Sequence, residues 1–289
     1  MESGSLYLVA TPIGNLEDIT LRAVNTLKMV DFIAAEDTRH TMKLLNHLEI
    51  SKPMTSYYEH NIRQKGELIL EHLERGENVA LVSDAGTPAI SDPGEDLVRL
   101  CIERGIRVIP VPGPTAAISA LISSGLSTSR FSFEGFLSVN KRSRSEHLNE
   151  VKDSTYTLIF YEAPHKLKYT LADMLAAFGN RRVTLARELT KKFEEIVQTT
   201  LEEAVAYYDE HMPKGEYVLV IEGRKKEELR KENDLNSLTM KEHVAYYEQA
   251  GADRKEAMKL AAKDRGISKR DVYQMLLEKT EETTGGDAE

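Results

Sequence analysis

The chain has 289 residues, 41% hydrophobic and 29% charged, with a formal net charge of −9. That length suits two domains, or one large domain with an appendage, and the apolar share is enough for sizeable cores. The longest apolar runs, such as Tyr217–Ile221, are strand-length and fall well short of the roughly 18 residues a membrane span needs. A lone cysteine, Cys101, excludes an internal disulfide and sits in a helical apolar pattern as a small core residue. With no basic region followed by an apolar stretch at the N-terminus, the expected setting is cytoplasmic, without a membrane partner. The acidic balance argues against broad electrostatic capture of nucleic acid. Local basic clusters at Lys141, Arg142 and Arg144, at Arg224, Lys225 and Lys226, and from Arg254 to Arg270 leave open an RNA surface beside the plainer reading of solvated faces.

Strands and helices alternate from the start. An apolar run over Leu6–Thr11, stopped by Pro12, predicts a buried strand, and Thr20 is a suitable N-cap for a helix over Leu21–Val30. A strand at Phe32–Ala35, helices at Arg39–Leu48 and Arg63–Arg75, and a strand at Val79–Ser83 follow. Then come a helix at Glu95–Arg104, a strand at Val108–Val111 and an Ala/Ile-rich helix at Thr115–Ser124. This order implies a mainly parallel sheet with helices on both faces. The Ser/Gly/Thr-rich stretch Gly125–Arg130 marks a break. A second half carries strands at Ser132–Leu137, Thr155–Tyr161, Arg182–Arg187 and Tyr217–Glu222, and helices at Arg144–Val151, His165–Phe178 and Leu201–His211.

From Arg224 to Leu238 the sequence is charged and reads as a linker or a solvated helix. Apolar stripes after it, broken at Gly251 and Gly266, predict three short helices, and Lys255–Leu277 resembles a helix-turn-helix. Between Thr239 and Lys279 nine Lys and Arg face seven acids, a sign opposite to that of the rest of the chain. The last residues, 281–289, read as a disordered acidic tail.

In an open parallel sheet, ligands bind beyond the carboxyl ends of the strands. The unusual loops fall there: Thr11-Pro12-Ile13-Gly14-Asn15, Glu36-Asp37-Thr38-Arg39, Ser83-Asp84-Ala85-Gly86-Thr87-Pro88 running on to Gly94, and Pro110-Val111-Pro112-Gly113-Pro114-Thr115-Ala116. Gly/Pro loops keep side chains away and expose main-chain groups, which suits a ligand held by the backbone. No Gly-x-Gly-x-x-Gly or Gly-x-x-x-x-Gly-Lys-Ser/Thr motif is present, so dinucleotide and P-loop chemistry lose their main support. No Gly-x-Ser-x-Gly elbow appears, and the eight histidines lack metal-ligand spacing. Asp84, at a strand end, is either a general base or ligand anchor or simply an Asx-turn residue. In the second half, Tyr161-Glu162-Ala163-Pro164-His165 leads through a proline into a helix, and Arg187-Glu188-Leu189-Thr190-Lys191 puts charge directly after an apolar strand.

Together, in this order and over about Leu6 to Gly223, these blocks resemble the tetrapyrrole methylase superfamily of S-adenosylmethionine enzymes. More narrowly they resemble its branch that methylates the ribose 2′-oxygen of a cytidine in 16S ribosomal RNA of the small ribosomal subunit. Ala10 stands where many relatives carry Gly. The resemblance implies two α/β domains, 1–125 and 126–224, with the cofactor in the cleft between them. It also implies a linker over 225–238, a small all-helical extension over 239–280, and a homodimer. It carries over Ile13, Asp84, Thr87, Pro112, Thr115, Ala116, Tyr161, Ala163 and Val218 as cofactor contacts, with no metal. A 2′-hydroxyl is a weak acid, so a base or a cation that stabilises the developing alkoxide would help. The candidates are Glu36, Asp37 and Arg39, and across the cleft Arg187, Glu188 and Lys191. A precorrin-type tetrapyrrole methyltransferase, which would want a broad apolar trough with few cations, stays open as an alternative. So does a non-catalytic RNA-binding protein built on the helix-turn-helix piece, although it would leave the strand-end loops unexplained.

Overall fold

In the computed structural model the chain divides into two compact units, Met1–Gly223 and Arg224–Glu289, of which residues 3–281 are described. The first unit holds two five-stranded sheets. Sheet one is built from β1 (Ser5–Val9), β2 (Phe32–Ala35), β3 (Met54–Ser56), β4 (Val79–Val82) and β5 (Arg107–Val111), in the order β3-β2-β4-β1-β5. Every pairing is parallel, as in Leu6 beside Val79 and Val9 beside Val111. Parallel strands must be buried on both faces, and β2 and β4 are buried at every residue.

Helices α1 (Leu21–Met29), α2 (Thr38–His47), α3 (Ile62–Glu74) and α4 (Glu95–Glu103) make the crossovers, and α5 (Ala116–Ser123) leads on to the second sheet. Their caps explain where they begin. Thr20 accepts from the Ala23 N–H, and Asp37 accepts from the Arg39 N–H, each satisfying an orphan donor of a first turn. Two apolar layers cover the sheet, one around Leu70, Leu73 and Leu97 and the other around Leu27, Ile33 and Leu45. Cys101 is buried in the first of them.

Sheet two is mixed. It comprises β6 (Phe131–Phe136), β7 (Thr157–Glu162), β8 (Arg182–Arg187), β9 (Glu195–Thr200) and β10 (Tyr217–Ile221), in the order β6-β7-β10-β8-β9. Only β6 and β7 run parallel; β10 is antiparallel to both its neighbours, and β9 to β8. Helices α6 (Lys141–Val151), α7 (Leu167–Phe178) and α8 (Leu201–Glu210) belong to this half, and α8 starts on a capping box between Thr200 and Glu203. One face of the sheet packs Phe160, Leu185 and Leu219 against α7 and α8. The other receives α5: Ala117, Ala120 and Leu121 lie against Ile159, Ala186, Val218 and Val220. Small residues on α5 let the helix approach closely, so one helix of the first half joins the two sheets.

Two strands were not anticipated from the sequence, β3 and β9. Met54–Ser56 is three residues long, too short to show alternation. Glu195–Thr200 is an edge strand whose polar residues mask its period. In the second unit, the stretch read as a linker or solvated helix contains helix α9 (Lys226–Ser237). It is followed by α10 (Met240–Gln249), α11 (Arg254–Asp264) and α12 (Lys269–Glu281) around Val244, Ala257, Ala261 and Val272. The tail expected over 281–289 lies, beyond its first residue, outside the described residues.

His243 is fully buried in the second unit and held between two charges. The Arg265 Nε–H donates to its Nδ1 at 3.0 Å, so Nδ1 is the acceptor, and its Nε2 lies 3.1 Å from Asp264. No helix among the described residues is long and apolar enough to cross a membrane.

Candidate active site

A cleft of about 410 Å³ lies between the loops at the carboxyl ends of sheet one and the α5-facing side of sheet two. Its first wall begins with a backbone clasp. Thr11 and Gly86 exchange main-chain hydrogen bonds of 2.9 and 3.0 Å, joining the loops after β1 and β4. Gly86 has φ +83°, and a Cβ there would come within 3.2 Å of Ile13 Cγ2, so the turn that shapes this wall needs glycine. Asp84 Oδ1 accepts from the Asp37 N–H at 3.0 Å. Glu36 Oε2 accepts from the Ser83 hydroxyl at 3.1 Å and from the Asp84 N–H at 3.3 Å.

Asp92 completes a group of three carboxylates on this wall. Its Oδ1 accepts from the Ala89 N–H at 2.6 Å. The loop it ties down holds two non-glycine residues in the left-handed region, Ala89 at φ +66° and Ser91 at φ +65°. Such strain persists only where surrounding contacts enforce it, and it gathers at functional sites. Burial pushes the Asp92 carboxyl up, and the Glu36 and Asp84 carboxylates add to the rise; hydrogen bonds from Ser83 and the Ala89 N–H oppose it.

The second wall is aromatic and ion-paired. The Tyr161 hydroxyl accepts from the Ala117 N–H at 3.1 Å, meeting a free donor in the first turn of α5. Phe133 and Phe136 pack edge-on against its ring at 4.9 and 5.5 Å. Burial pushes the Tyr161 phenol up. Glu162 is 2% exposed and accepts from the Ala163 N–H at 2.9 Å and from the Thr170 hydroxyl, with the Lys166 ammonium at 3.5 Å.

Lys191 Nζ reaches Glu188 and Glu216, both at 2.9 Å. The Glu216 N–H and Lys191 together hold the Glu188 carboxyl below its ordinary range. For Lys191, burial favours the neutral amine, and its two carboxylate partners outweigh that and raise it. A Cβ on Gly14 would fall 2.3 Å from Lys191 Cγ, so glycine alone lets the loop after β1 pass against this side chain.

Eight of the nine residues expected to contact a cofactor line the cleft: Ile13, Asp84, Thr87, Thr115, Ala116, Tyr161, Ala163 and Val218. Pro112 does not; its carbonyl accepts from the Thr20 hydroxyl at 3.4 Å. Of the six charged candidates, Glu36, Glu188 and Lys191 line it. Asp37 and Arg39 instead pair with each other at 2.7 Å, Arg39 being 89% exposed, and this partner holds the Asp37 carboxyl down at about 2. Arg187 lies on the opposite face of sheet two, 3.2 Å from Glu195.

Sequence reasoning passed over Asp92, Glu162, Glu216, Tyr217 and Phe136, all of which line the cleft. Asp92 carried a signal, since Asp92-Pro93-Gly94 ends the same loop as Asp84. Phe136 and Glu216 carried none that separates them from an edge strand and a turn. No group of three or more His, Cys, Asp or Glu among the described residues is placed to hold a metal ion.

The family model for tetrapyrrole (corrin/porphyrin) methylases matches residues 5–205. The chain belongs to the tetrapyrrole methylase family. Among curated relatives, ribosomal RNA small subunit methyltransferase I of Halalkalibacterium halodurans is 53% identical, with 94% of each chain covered. The proteins of the same name from Bacillus subtilis and Escherichia coli O157:H7 are 50% and 47% identical over 94% and 95% of this chain, and over the same shares of their own. Among solved structures, cobalt precorrin-4 methyltransferase superposes with a TM-score of 0.58 at 16% identity, covering 75% of this chain and 94% of the other. Uroporphyrin-III C-methyltransferase from Thermus thermophilus, complexed with S-adenosyl homocysteine, gives 0.54 at 20% identity over 75% and 97%. The methylase fold is common to all of these, and the ribosomal RNA methyltransferases match this member of the family through the second unit as well.

Proposed function

We propose that this protein is an S-adenosylmethionine-dependent methyltransferase acting on the ribose 2′-oxygen of a cytidine in 16S ribosomal RNA, in the small subunit. The observation that carries the reading is the cleft. It gathers glycine-shaped main chain, an aromatic wall and a first wall with three carboxylates, within a family whose near full-length relatives are named as ribosomal RNA methyltransferases. Its volume of about 410 Å³ falls in the ~300–1,000 Å³ range of small-molecule sites. The residues fit the cofactor: apolar Ile13, Ala116, Ala163 and Val218 offer surface to an adenosine, and Asp84, Thr87, Thr115 and Tyr161 offer polar contacts. Pro112 would act through the course of its loop.

S-adenosylmethionine supplies a methyl group on a positively charged sulfur. The protein's work is then to align the ribose hydroxyl and to receive its proton. Glu36 and Asp92 are the carboxylates of the first wall suited to accept it, Asp92 because its basicity is raised. Glu188 is occupied by Lys191 and positions the second wall. The two α/β halves, 1–125 and 126–224, each supply one wall, and the resemblance adds a homodimer, which light scattering at micromolar concentration would reveal; a monomer there would remove it.

The test is methyl transfer from labelled S-adenosylmethionine to small ribosomal subunits from cells lacking the gene, with mass spectrometry of nuclease fragments. Label on a cytidine ribose is the expected result, and transfer to a tetrapyrrole but not to subunits would overturn it. Asp84→Ala should weaken cofactor binding by calorimetry about tenfold or more, the worth of one charge-assisted hydrogen bond, with an unchanged circular dichroism spectrum.

A further inference from the structure

A second pocket, of about 280 Å³, opens where β8 ends and β10 begins, on the face of sheet two that carries α8. Arg187 and Tyr217 are register partners there. The neighbours of Arg187 in sequence, Ala186 and Glu188, line the first cleft, and strand alternation sends Arg187 to the other side. Tyr217 lines both. The two sites therefore share a wall.

The lining has an unusual chemistry. Tyr207 and His211, one helical turn apart, stack with ring centroids 4.1 Å apart and planes 5° from parallel. This plate faces water: Tyr207 is 55% exposed, and Met212 beside it 80%. Arg187 and Lys214 bring positive charge against one acid, Glu195. The Arg187 guanidinium is only loosely engaged, at 3.2 Å from Glu195 and 3.5 Å from the Phe193 carbonyl, and its Nε–H is buried without an acceptor from the protein. The Lys214 ammonium has no ion pair among the described residues. On a chain of net charge −9 a locally positive lining selects an anion. The pocket lies at the lower edge of the size range for small-molecule sites, so it takes one planar group rather than a helix.

We propose that this pocket stacks an unpaired nucleobase of the RNA on the Tyr207–His211 plate and holds its phosphate with Arg187 and Lys214. Unpaired RNA bases are recognised by stacking on aromatic side chains, and guanidinium groups bind phosphate through paired hydrogen bonds. The proposal rests on the methyl-transfer reading above: with a shared wall, the base bound here is a near neighbour of the nucleotide whose ribose enters the first cleft.

The experiment uses the full chain and two readouts. A single-stranded oligoribonucleotide carrying 2-aminopurine reports stacking by fluorescence quenching, independently of catalysis. Wild-type protein should quench it, Tyr207→Ala should not, and Tyr207→Phe should restore the quenching. In steady-state methylation of small ribosomal subunits, Tyr207→Ala and Lys214→Glu should each raise KM about tenfold, the size of one base–aromatic stack or phosphate contact. Saturated kcat and S-adenosylmethionine affinity should stay within about twofold in both variants, since neither residue lines the first cleft.

Quenching that is absent from the wild type, or unaltered by Tyr207→Ala, would overturn the proposal. So would a Tyr207→Ala protein that loses its partner subunit by light scattering while KM stays unchanged, which would make the plate a contact between copies. Tyr207-dependent quenching without any methylation of subunits would instead overturn the methyl-transfer reading and leave the pocket standing.

Discussion

The two walls of the cleft carry the same kind of acid and treat it in opposite ways. On the first, Glu36, Asp84 and Asp92 gather with no Lys or Arg among the lining residues of that half, and burial together with the neighbouring carboxylates pushes Asp92 up. On the second, Glu188 is held down by the Glu216 N–H and by Lys191. What decides protonation in this cleft is therefore burial on one wall and the partners offered on the other, and the fold sets both. The ends of parallel strands bring acids together on separate loops. The turn between β8 and β9 brings a lysine back onto its own strand end three residues later. A raised acid on one wall facing a lowered one on the other is the pattern that separates proton acceptor from structural ion pair in acid–base sites.

The largest expected effect tests whether the walls belong to one folded body at all. Leu219 is fully buried on the central strand of sheet two, so Leu219→Ala should cost about 2–5 kcal/mol through lost burial and the cavity left behind. Because α5 from the first half packs on this sheet, loss of both halves in one calorimetric transition is expected. Two separated transitions would break the comparison, since the cleft would then join parts that fold apart.

A subtler pair of variants sharpens it. The raised Asp92 carboxyl gives its full stability below the pKa of an unfolded aspartate, and that stability is lost as pH rises through the folded value. Asp92→Asn should therefore gain Tm relative to wild type at pH 7, with the gain shrinking toward pH 3. Glu188 is the mirror case. Its stabilisation is present above the unfolded glutamate pKa and lost as pH falls through the depressed folded value. Glu188→Gln should lose about 1 kcal/mol at pH 7, a modest loss because Glu216 is open to solvent and Lys191 partly so, and match wild type at low pH. Melting curves from pH 3 to 8 check both, and slopes of the same sign in the two variants would erase the distinction between the walls.

How much of this was legible in the sequence follows the same divide. Sheet one, apart from the three-residue β3, follows from local signals: apolar runs ended by Gly/Pro loops, with Thr20 as a cap, placed its other elements and its ligand loops to within a residue or two. In sheet two the strand β9 was hidden, because an edge strand with Glu195, Val197 and Gln198 all exposed shows little apolar period. Missing β9 left Arg187 without its Glu195 partner, so nothing in the sequence could tell that Arg187 faces away from the cleft while Glu188 faces in. Alternation along a strand is readable, but which face is which depends on where α5 packs. That contact brings Ala117 and Ala120 against Val218 and Val220, about a hundred residues later, and no local pattern encodes it.

The smallest effect concerns the charge that neither wall supplies. Lys191, the one cation lining the cleft, is already paired twice, so the main cleft has little positive charge left for an RNA backbone. On α11 of the second unit, Lys255, Lys259 and Lys263 recur at four-residue spacing, are exposed, and share one helix face. Arg265 does not join them, since its guanidinium is committed to His243 and to the carbonyls of Leu235 and Leu238. If that face contacts phosphates, replacing the three lysines by glutamate should flatten the dependence of subunit binding on salt. Each single-strand phosphate contact contributes about 0.7 to the log–log slope, so the slope should fall by up to about 2. Cofactor affinity should not change, and the buried His243–Asp264 pair should keep the helices folded. The measurement is subunit binding between 50 and 200 mM salt, with circular dichroism as a control for the fold. A slope equal to that of the wild type would mean that the RNA is held by the first unit alone, leaving its phosphates to cations such as Arg187 and Lys214.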